Sequence, residues 1–304
     1  MPLIRNVSDT AHWVAMYRAA ESERPDALFR DPWAAKFGGE RGRRILEGMP
    51  DGKRWGWPMV VRTAVMDEII QREVAAGADT VVHLAAGLDM RPFRLPLPAT
   101  LRWVEIDLPE MIEEKTAMVG DEKPCCQVTR IGADLANADA RRAALARATA
   151  GARRSLVVSE GLLIYLDESQ VAALAEALAA VPTAALWLID IAHPRLLEWM
   201  STRWGKVVEQ GGAPFKFAPQ ANTAFFEPHG WREREYRGAM AEARRLHREM
   251  PGAWVYRIMG IFMSAKSRAM YARFSGYALL ERATPAHRAE GSLRWSAGRR
   301  STTT

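Results

Sequence analysis

The sequence predicts an α/β protein, with a parallel sheet covered by helices on both faces and a helical segment ahead of it. Three observations carry that expectation. Five short apolar runs, at 80–85, 101–107, 126–132, 155–160 and 184–191, recur through the middle of the chain. Helix-length stretches follow most of these runs, which is the rhythm of βαβ units. The first run closes on Ala85-Ala86-Gly87-Leu88-Asp89, a small-residue turn of the kind that follows a buried strand.

Each element follows from local pattern. Residues 1–77 read as a helical and irregular leading segment, punctuated by Pro25, Pro32, Pro50 and Pro58. Its last helix spans 59–76, where Val61, Val65, Ile69, Ile70 and Val74 keep a 3.6-residue period until Gly77 stops it. Helices are predicted at 109–119 and 138–150. Another starts at Asp167, a capping residue with Gln170 three positions on and Val171, Leu174, Leu178 and Val181 along one face. The α/β domain covers 78–285. It is interrupted by a Trp-, Gly- and Pro-rich insertion at about 193–224 and a helical one at about 238–272. WREREY (231–236) and FSGYALLER (274–282) supply two closing strands, which makes seven. Residues 286–304 are rich in Arg, Ser and Thr and are expected to be disordered.

Composition bounds the function. The chain has 304 residues, 48% hydrophobic and 26% charged, which fits an ordinary globular protein and excludes a disordered, collagenous or coiled-coil chain. Its net charge of +6 raises nucleic acid, a membrane surface or an acidic substrate as partners. The arginines alternate with acids, as in WREREYR and AEARRLHRE, and form no stripe with interleaved aromatics. A small-molecule substrate is therefore expected, with neither nucleic acid nor membrane as partner. Cys125 and Cys126 are adjacent, a poor geometry for a disulfide, and no Cys/His spacing suits zinc. With no apolar leader pattern, a reduced cytoplasmic setting is expected.

Ligands of open parallel sheets bind at the carboxyl ends of the strands. There the first strand offers Ala85, Ala86 and Gly87, where a ligand can approach the backbone. This is not a dinucleotide fingerprint, since GxGxxG is absent. The second strand ends in Glu105-Ile106-Asp107; both carboxylates point to one face, and Asp107, nearer the end, is better placed for a ribose diol. Asp134 follows the third strand and Glu160 the fourth. Each alone also reads as a helix cap or a solvated acid. Together, around one glycine turn, they suit a cationic or polyol nucleoside.

The pieces AHWVAMYRAAESERPDALFRDPWA, VVRTAVMDEII, VVHLAAGLDMRPFRLP, WVEIDLPEMIEEK, GADL and SEGLLIYL, in that order, closely resemble the leucine carboxyl methyltransferase-like family. The resemblance implies a class I methyltransferase fold, Rossmann-like, with a largely parallel seven-stranded sheet, an antiparallel closing strand and a lid insertion. It implies S-adenosyl-L-methionine (SAM) as cofactor and S-adenosyl-L-homocysteine as product. By the same resemblance Arg62 pairs with the cofactor carboxylate, as does Arg18 unless it reaches the substrate. Ala85, Ala86 and Gly87 lie against its methionine part, and Asp107 holds the ribose. Asp134 and the backbone of Leu135 sit at the adenine, and Glu160 near the ammonium and sulfonium. Many relatives have Asn and Thr where this chain has His83 and Met90.

The implied reaction is O-methylation of a carboxylate or phenolic hydroxyl on a small aromatic, polyketide-like metabolite of secondary metabolism. Trp13, Trp33, Trp55, Trp57, Trp199 and Trp204 are candidates for the substrate walls. An ionised carboxylate needs no base, whereas a phenol, with an ordinary pKa of about 10, is helped by one. His193 and His229 are the positional candidates for that base, and no metal site is expected. Methylation of a protein's C-terminal carboxylate is the alternative within the enzyme class. A basic nucleic-acid-binding module and a non-catalytic SAM binder are the alternatives outside it.

Overall fold

The computed structural model describes residues 3–283, apart from 5, 7, 251, 256, 257 and 259–261. The expected basic tail, 286–304, lies outside the described residues.

One seven-stranded sheet organises the chain. In chain order its strands are β1 (Thr80–Leu84), β2 (Arg102–Asp107), β3 (Gln127–Gly132), β4 (Ser155–Ser159), β5 (Ala184–Ala192), β6 (Trp231–Gly238) and β7 (Ser275–Arg282). Their spatial order is β3-β2-β1-β4-β5-β7-β6. The first five pair in parallel, and β7 runs antiparallel between β5 and β6. This is the largely parallel class I architecture that the resemblance implies. Chain order reverses between β1 and β4, and such a switch point opens a crevice at the strands' carboxyl ends.

Burial explains why these residues become strands. All five residues of β1 and of β4 are buried, as covering on both faces demands. One face packs Val82, Ile106, Val157, Trp187 and Ile189 against Val171, Leu174 and Leu178 of α7 (Glu168–Ala179). The opposite face packs Val81, Trp103, Val158 and Leu279 against Val61, Val65, Ile69 and Ile70 of α3 (Trp57–Ala75). Helix α7 begins with the expected capping box between Asp167 and Gln170. On β6, the outermost strand, Arg232, Glu233 and Arg234 are exposed, and charges there discourage edge-to-edge pairing.

Two regions refine the sequence reading. The 193–224 insertion is built largely from a 17-residue helix, α8 (Pro194–Gln210), and a 3₁₀ segment, Asn222–His229. The leading segment forms α1 (Asp9–Ser22), which lines the crevice, and α2 (Ala34–Gly48), which packs on α1. Buried His12 fastens this cover: its Nδ1 lies 2.7 Å from the Phe37 carbonyl, and its Nε2 lies 3.1 Å from Glu114 on α5 (Pro109–Val119).

Leu280 on β7 is fully buried in the larger core. Leu280→Ala should cost about 2–5 kcal/mol of unfolding free energy, and the near-isosteric Leu280→Met less than about 1.5. Urea denaturation followed by circular dichroism measures both.

Candidate active site

The crevice deepens into a cavity of about 1280 Å³. Ligand pockets span roughly 300–1,000 Å³, so there is room for a cofactor and a second molecule. Arg18, Arg62, Ala85, Ala86 and Gly87 all line it, as do Asp107, Asp134, Leu135 and Glu160.

The turn after β1 forms its floor. Ala85 and Gly87 both take positive φ, 49° and 48°, so the backbone doubles back and presents its amides. Gly87 N donates to Asp107 Oδ2 at 2.6 Å, and Leu108 N donates to Asp107 Oδ1 at 2.8 Å. Burial pushes the Asp107 carboxyl up, and these two amides only partly offset it. Glu105, the other carboxylate of this strand, faces away from the cavity into a fully buried pairing with Lys115 (2.7 Å) and Arg130 (3.0 Å). Asp134 is exposed on the rim, its Oδ1 accepting from Ala136 N at 2.8 Å.

The deep wall is a charge network. Arg62 on α3 donates through Nε to Glu160 Oε1 and through Nη1 to Asp190 Oδ2, both at 2.9 Å. Asp190 Oδ1 accepts from Gly161 N at 2.8 Å, which closes a ring around the ends of β4 and β5. Burial would raise the Glu160 carboxyl, but Arg91 and Arg62 outweigh it and hold it at about 2. Relative to its ordinary value of 4.5, this pairing stabilises the fold fully above that pH and is lost as pH falls toward 2. Arg18 is equally committed: it donates to Asp31 Oδ2 (2.9 Å) and to the Leu88 carbonyl (2.7 Å), tying α1 to the floor turn.

Other placements differ from the sequence reading. His193 and His229 do not line the cavity. His193 caps α8, where its Nδ1 accepts from Arg195 N; His229 sits 2.9 Å from Glu176, on the outer side of α7. Trp33 is also off the cavity wall and packs against Phe93, 6.0 Å between ring centroids. The other five tryptophans line it, and Trp13, Trp55, Trp199 and Trp204 also pack on one another. Asp190, Arg91, Asp89 and His83 line the cavity without having been singled out for it. His83 Nδ1 lies 3.2 Å from Asp89 Oδ2, an ion-pair distance whose angle falls short of a hydrogen bond. The available signal was the charged run GLDMR directly after an apolar strand.

Known proteins resemble this chain in sequence and in fold. A family model described as leucine carboxyl methyltransferase matches residues 11–179. A Frankia alni protein, provisionally named an S-adenosyl-L-methionine-dependent methyltransferase, is 34% identical over 262 residues, 80% of this chain and 89% of its own. The chain belongs to the leucine carboxyl methyltransferase family. A similarly named Streptomyces coelicolor relative is 36% identical over 172 residues, 53% of this chain and 60% of that protein's length. A provisionally assigned methyltransferase from Thermobifida fusca shares the fold, with a TM-score of 0.59 at 11% identity over 93% of this chain and 96% of its own.

Membership of the leucine carboxyl methyltransferase family makes this a SAM-dependent enzyme, and the cavity fits that cofactor. Within a whole lining of eight arginines and seven acids, 8 − 7 = +1, the part around the strand ends carries Arg18, Arg62 and Arg91 against Asp89, Asp107, Glu160, Asp190 and, on the rim, Asp134, a formal 3 − 5 = −2. That sign suits a ligand bearing both an ammonium and a sulfonium. Gly161 supplies a further constraint: its φ is +66°, and a Cβ there would sit 3.2 Å from Arg62 Nη1. Gly161→Ala should therefore displace Arg62 and weaken SAM binding by about tenfold, the equivalent of one charge-assisted hydrogen bond. Ala85→Gly, which relieves a positive φ, should leave affinity intact and raise the melting temperature. Calorimetry and thermal melts read out both.

Proposed function

We propose that this enzyme transfers a methyl group from SAM to a carboxylate oxygen of a small aromatic acid of the polyketide type. The observation that carries this reading is the aromatic part of the cavity lining, Trp13, Tyr17, Trp55, Trp199, Trp204 and Phe215. Those rings are already fixed. Trp13 Nε1 donates to Tyr17 Oη (2.9 Å), Tyr17 Oη to the Gly52 carbonyl (2.7 Å), and Trp204 Nε1 to the Pro50 carbonyl (3.1 Å). The Trp13, Tyr17 and Trp204 dipoles are thus satisfied by protein, whereas the buried Trp55 Nε1 has no hydrogen-bond partner among the described residues; ring faces and edges are left for a planar, largely apolar guest.

The choice of oxygen rests on the described wall residues, whose histidine and deep carboxylates are already engaged. Among the described residues His83 is the only histidine on the wall, set back in β1 against Asp89. Asp190 and Glu160 are both occupied by Arg62. Burial drives the Tyr165 and Tyr277 hydroxyls up, so they remain protonated donors. A carboxylate substrate, ionised at neutral pH, reacts without proton removal. The family's own description also names carboxyl methylation.

When bound, SAM supplies an electrophilic methyl carbon on a sulfonium that leaves as a neutral thioether. The protein's contribution is alignment and exclusion of water. Asp107 would hold the ribose hydroxyls, with Asp134 and the backbone of Leu135 at the adenine. The Ala85-Ala86-Gly87 turn would lie along the methionine moiety, whose charged groups Arg18, Arg62 and Glu160 would meet. Helix α1 and the aromatic wall close the opposite side.

Incubation with methyl-labelled SAM and a panel of aromatic acids and phenols should yield an organic-extractable product that releases methanol in base, as an ester does. A base-stable product would identify a phenolic ether instead. Label retained on protein would identify a C-terminal carboxylate and sink the small-molecule reading. Asp107→Asn should weaken SAM binding by at least about tenfold while the ligand-free melting temperature shifts by no more than a few degrees, because the substitution also removes a buried charge.

A further inference from the structure

Arg91 has no role in the resemblance, yet it is the most heavily engaged side chain of the deep wall. It is 1% exposed and directly follows the floor turn on which a cofactor would rest. Nε donates to Asp67 Oδ1 at 2.6 Å; Nη1 donates to Asp89 Oδ2 at 2.7 Å and to Glu160 Oε2 at 2.6 Å. Asp67, on α3, is itself gripped on both oxygens by Arg94, at 2.6 and 2.8 Å. One arm of the Arg91 fork is thus anchored to the scaffold, and the other reaches a carboxylate that lines the cavity. Glu160 spends one acceptor position per oxygen on Arg91 and Arg62, out of roughly four that a carboxylate offers.

We propose that Arg91 is the positioning residue of the cofactor site: anchored through Asp67 and Arg94, it fixes Glu160 as an ionised acceptor facing the cationic half of SAM. Arg62 alone cannot do this. It approaches from α3 on the other oxygen and shares its charge with Asp190. A buried carboxylate with one shared guanidinium takes up a proton more readily, and a protonated Glu160 gives a cation less to bind. The inference rests on the reading that SAM lies against Glu160.

The charged and titratable groups around Glu160 are Arg62 from α3, Arg91 and Asp89 after β1, His83 on β1, Asp190 on β5 and Tyr277 on β7. The amine of SAM itself titrates near neutrality in every variant, so the diagnostic is a difference between variants.

SAM dissociation constants would be measured by calorimetry between pH 5.5 and 8 for wild type, Arg91→Met, Arg91→Lys and Arg91→Met/Glu160→Gln, with circular dichroism to confirm folding. Arg91→Met should lose at least about fivefold more affinity than wild type on going from pH 8 to 5.5, as a carboxyl raised by burial demands. Adding Glu160→Gln should abolish that extra loss. Arg91→Lys, which keeps the charge without the fork, should restore the wild-type pH profile at several-fold weaker affinity. A wild-type profile in folded Arg91→Met overturns the proposal, as does a pH slope that survives Glu160→Gln. If Arg91→Met does not fold, wild-type affinity in Arg91→Lys overturns it equally. Asp107→Asn separates the two failures: undiminished SAM binding in that variant removes the cofactor site itself, whereas its loss alongside an unaffected Arg91 variant removes only the positioning role.

Discussion

The structure depends on the requirement that charges buried beneath the switch point be paired. Arg62, Arg91 and Arg94 meet Asp67, Asp89, Glu160 and Asp190 in one continuous network between α3 and the carboxyl ends of β1, β4 and β5. Removing one member of such a set strands its partners, at a cost of about 3–5 kcal/mol for a buried pair, whereas apolar side chains would have packed there more cheaply. Chains in which these charges fail to meet are therefore heavily penalised. The network thus does two things at once: it locks α3 across the sheet at one height, and it leaves carboxylate oxygens facing a cavity where a cation can use them.

A class I sheet alone is open at its carboxyl edge, and the leading segment turns that edge into a partly covered chamber. Arg18 crosses from α1 to the Leu88 carbonyl, and His12 bridges α1 to Phe37 and Glu114. On the other side α8 brings Trp199 and Trp204 against Trp13 and Trp55. The same rings serve as core between α1 and α8 and as chamber wall. A tryptophan face pressed on its neighbours still presents its remaining edge inward, so structural and functional accounts of these residues are not alternatives.

The sheet was legible because burial on both faces demands continuous apolar runs, and TVVHL, SLVVS and AALWLIDIA satisfy that demand locally. The capping box at Asp167 was legible for the same reason: all its parts lie within four residues. Helix α8 was harder to see, because its Trp and Gly content resembles an irregular insertion and the partners its buried Trp204 and Val208 meet, Ile4, Trp13, Ile45 and Met49, lie far away in the chain. Glu105 and Asp107 show the limit of period-two reasoning. They share a face, yet Lys115 and Arg130 consume Glu105, while Asp107, at the strand's end, turns back to the floor amides. The ring of Arg62, Glu160 and Asp190 was illegible in principle from local pattern, since its contacts span 98 and 128 residues of chain.

Net charge illustrates the same separation of scales. Of the formal +6, residues 286–304 hold four arginines and one glutamate, 4 − 1 = +3, and residues 239–272 hold six basic and two acidic side chains, 6 − 2 = +4. The remainder of the chain is therefore 6 − 3 − 4 = −1, and the cavity residues around the strand ends within it reach −2. A basic protein thus carries an anionic patch at the strand ends of its cavity. Exposed charges farther apart than a Debye length of about 8 Å scarcely feel one another in physiological salt, but buried ones are screened far less, so the field at the cofactor is set by the wall rather than by the composition. The overall basicity that first suggested a polyanionic partner belongs to residues 239–272 and 286–304, and the patch at the strand ends runs on the opposite sign.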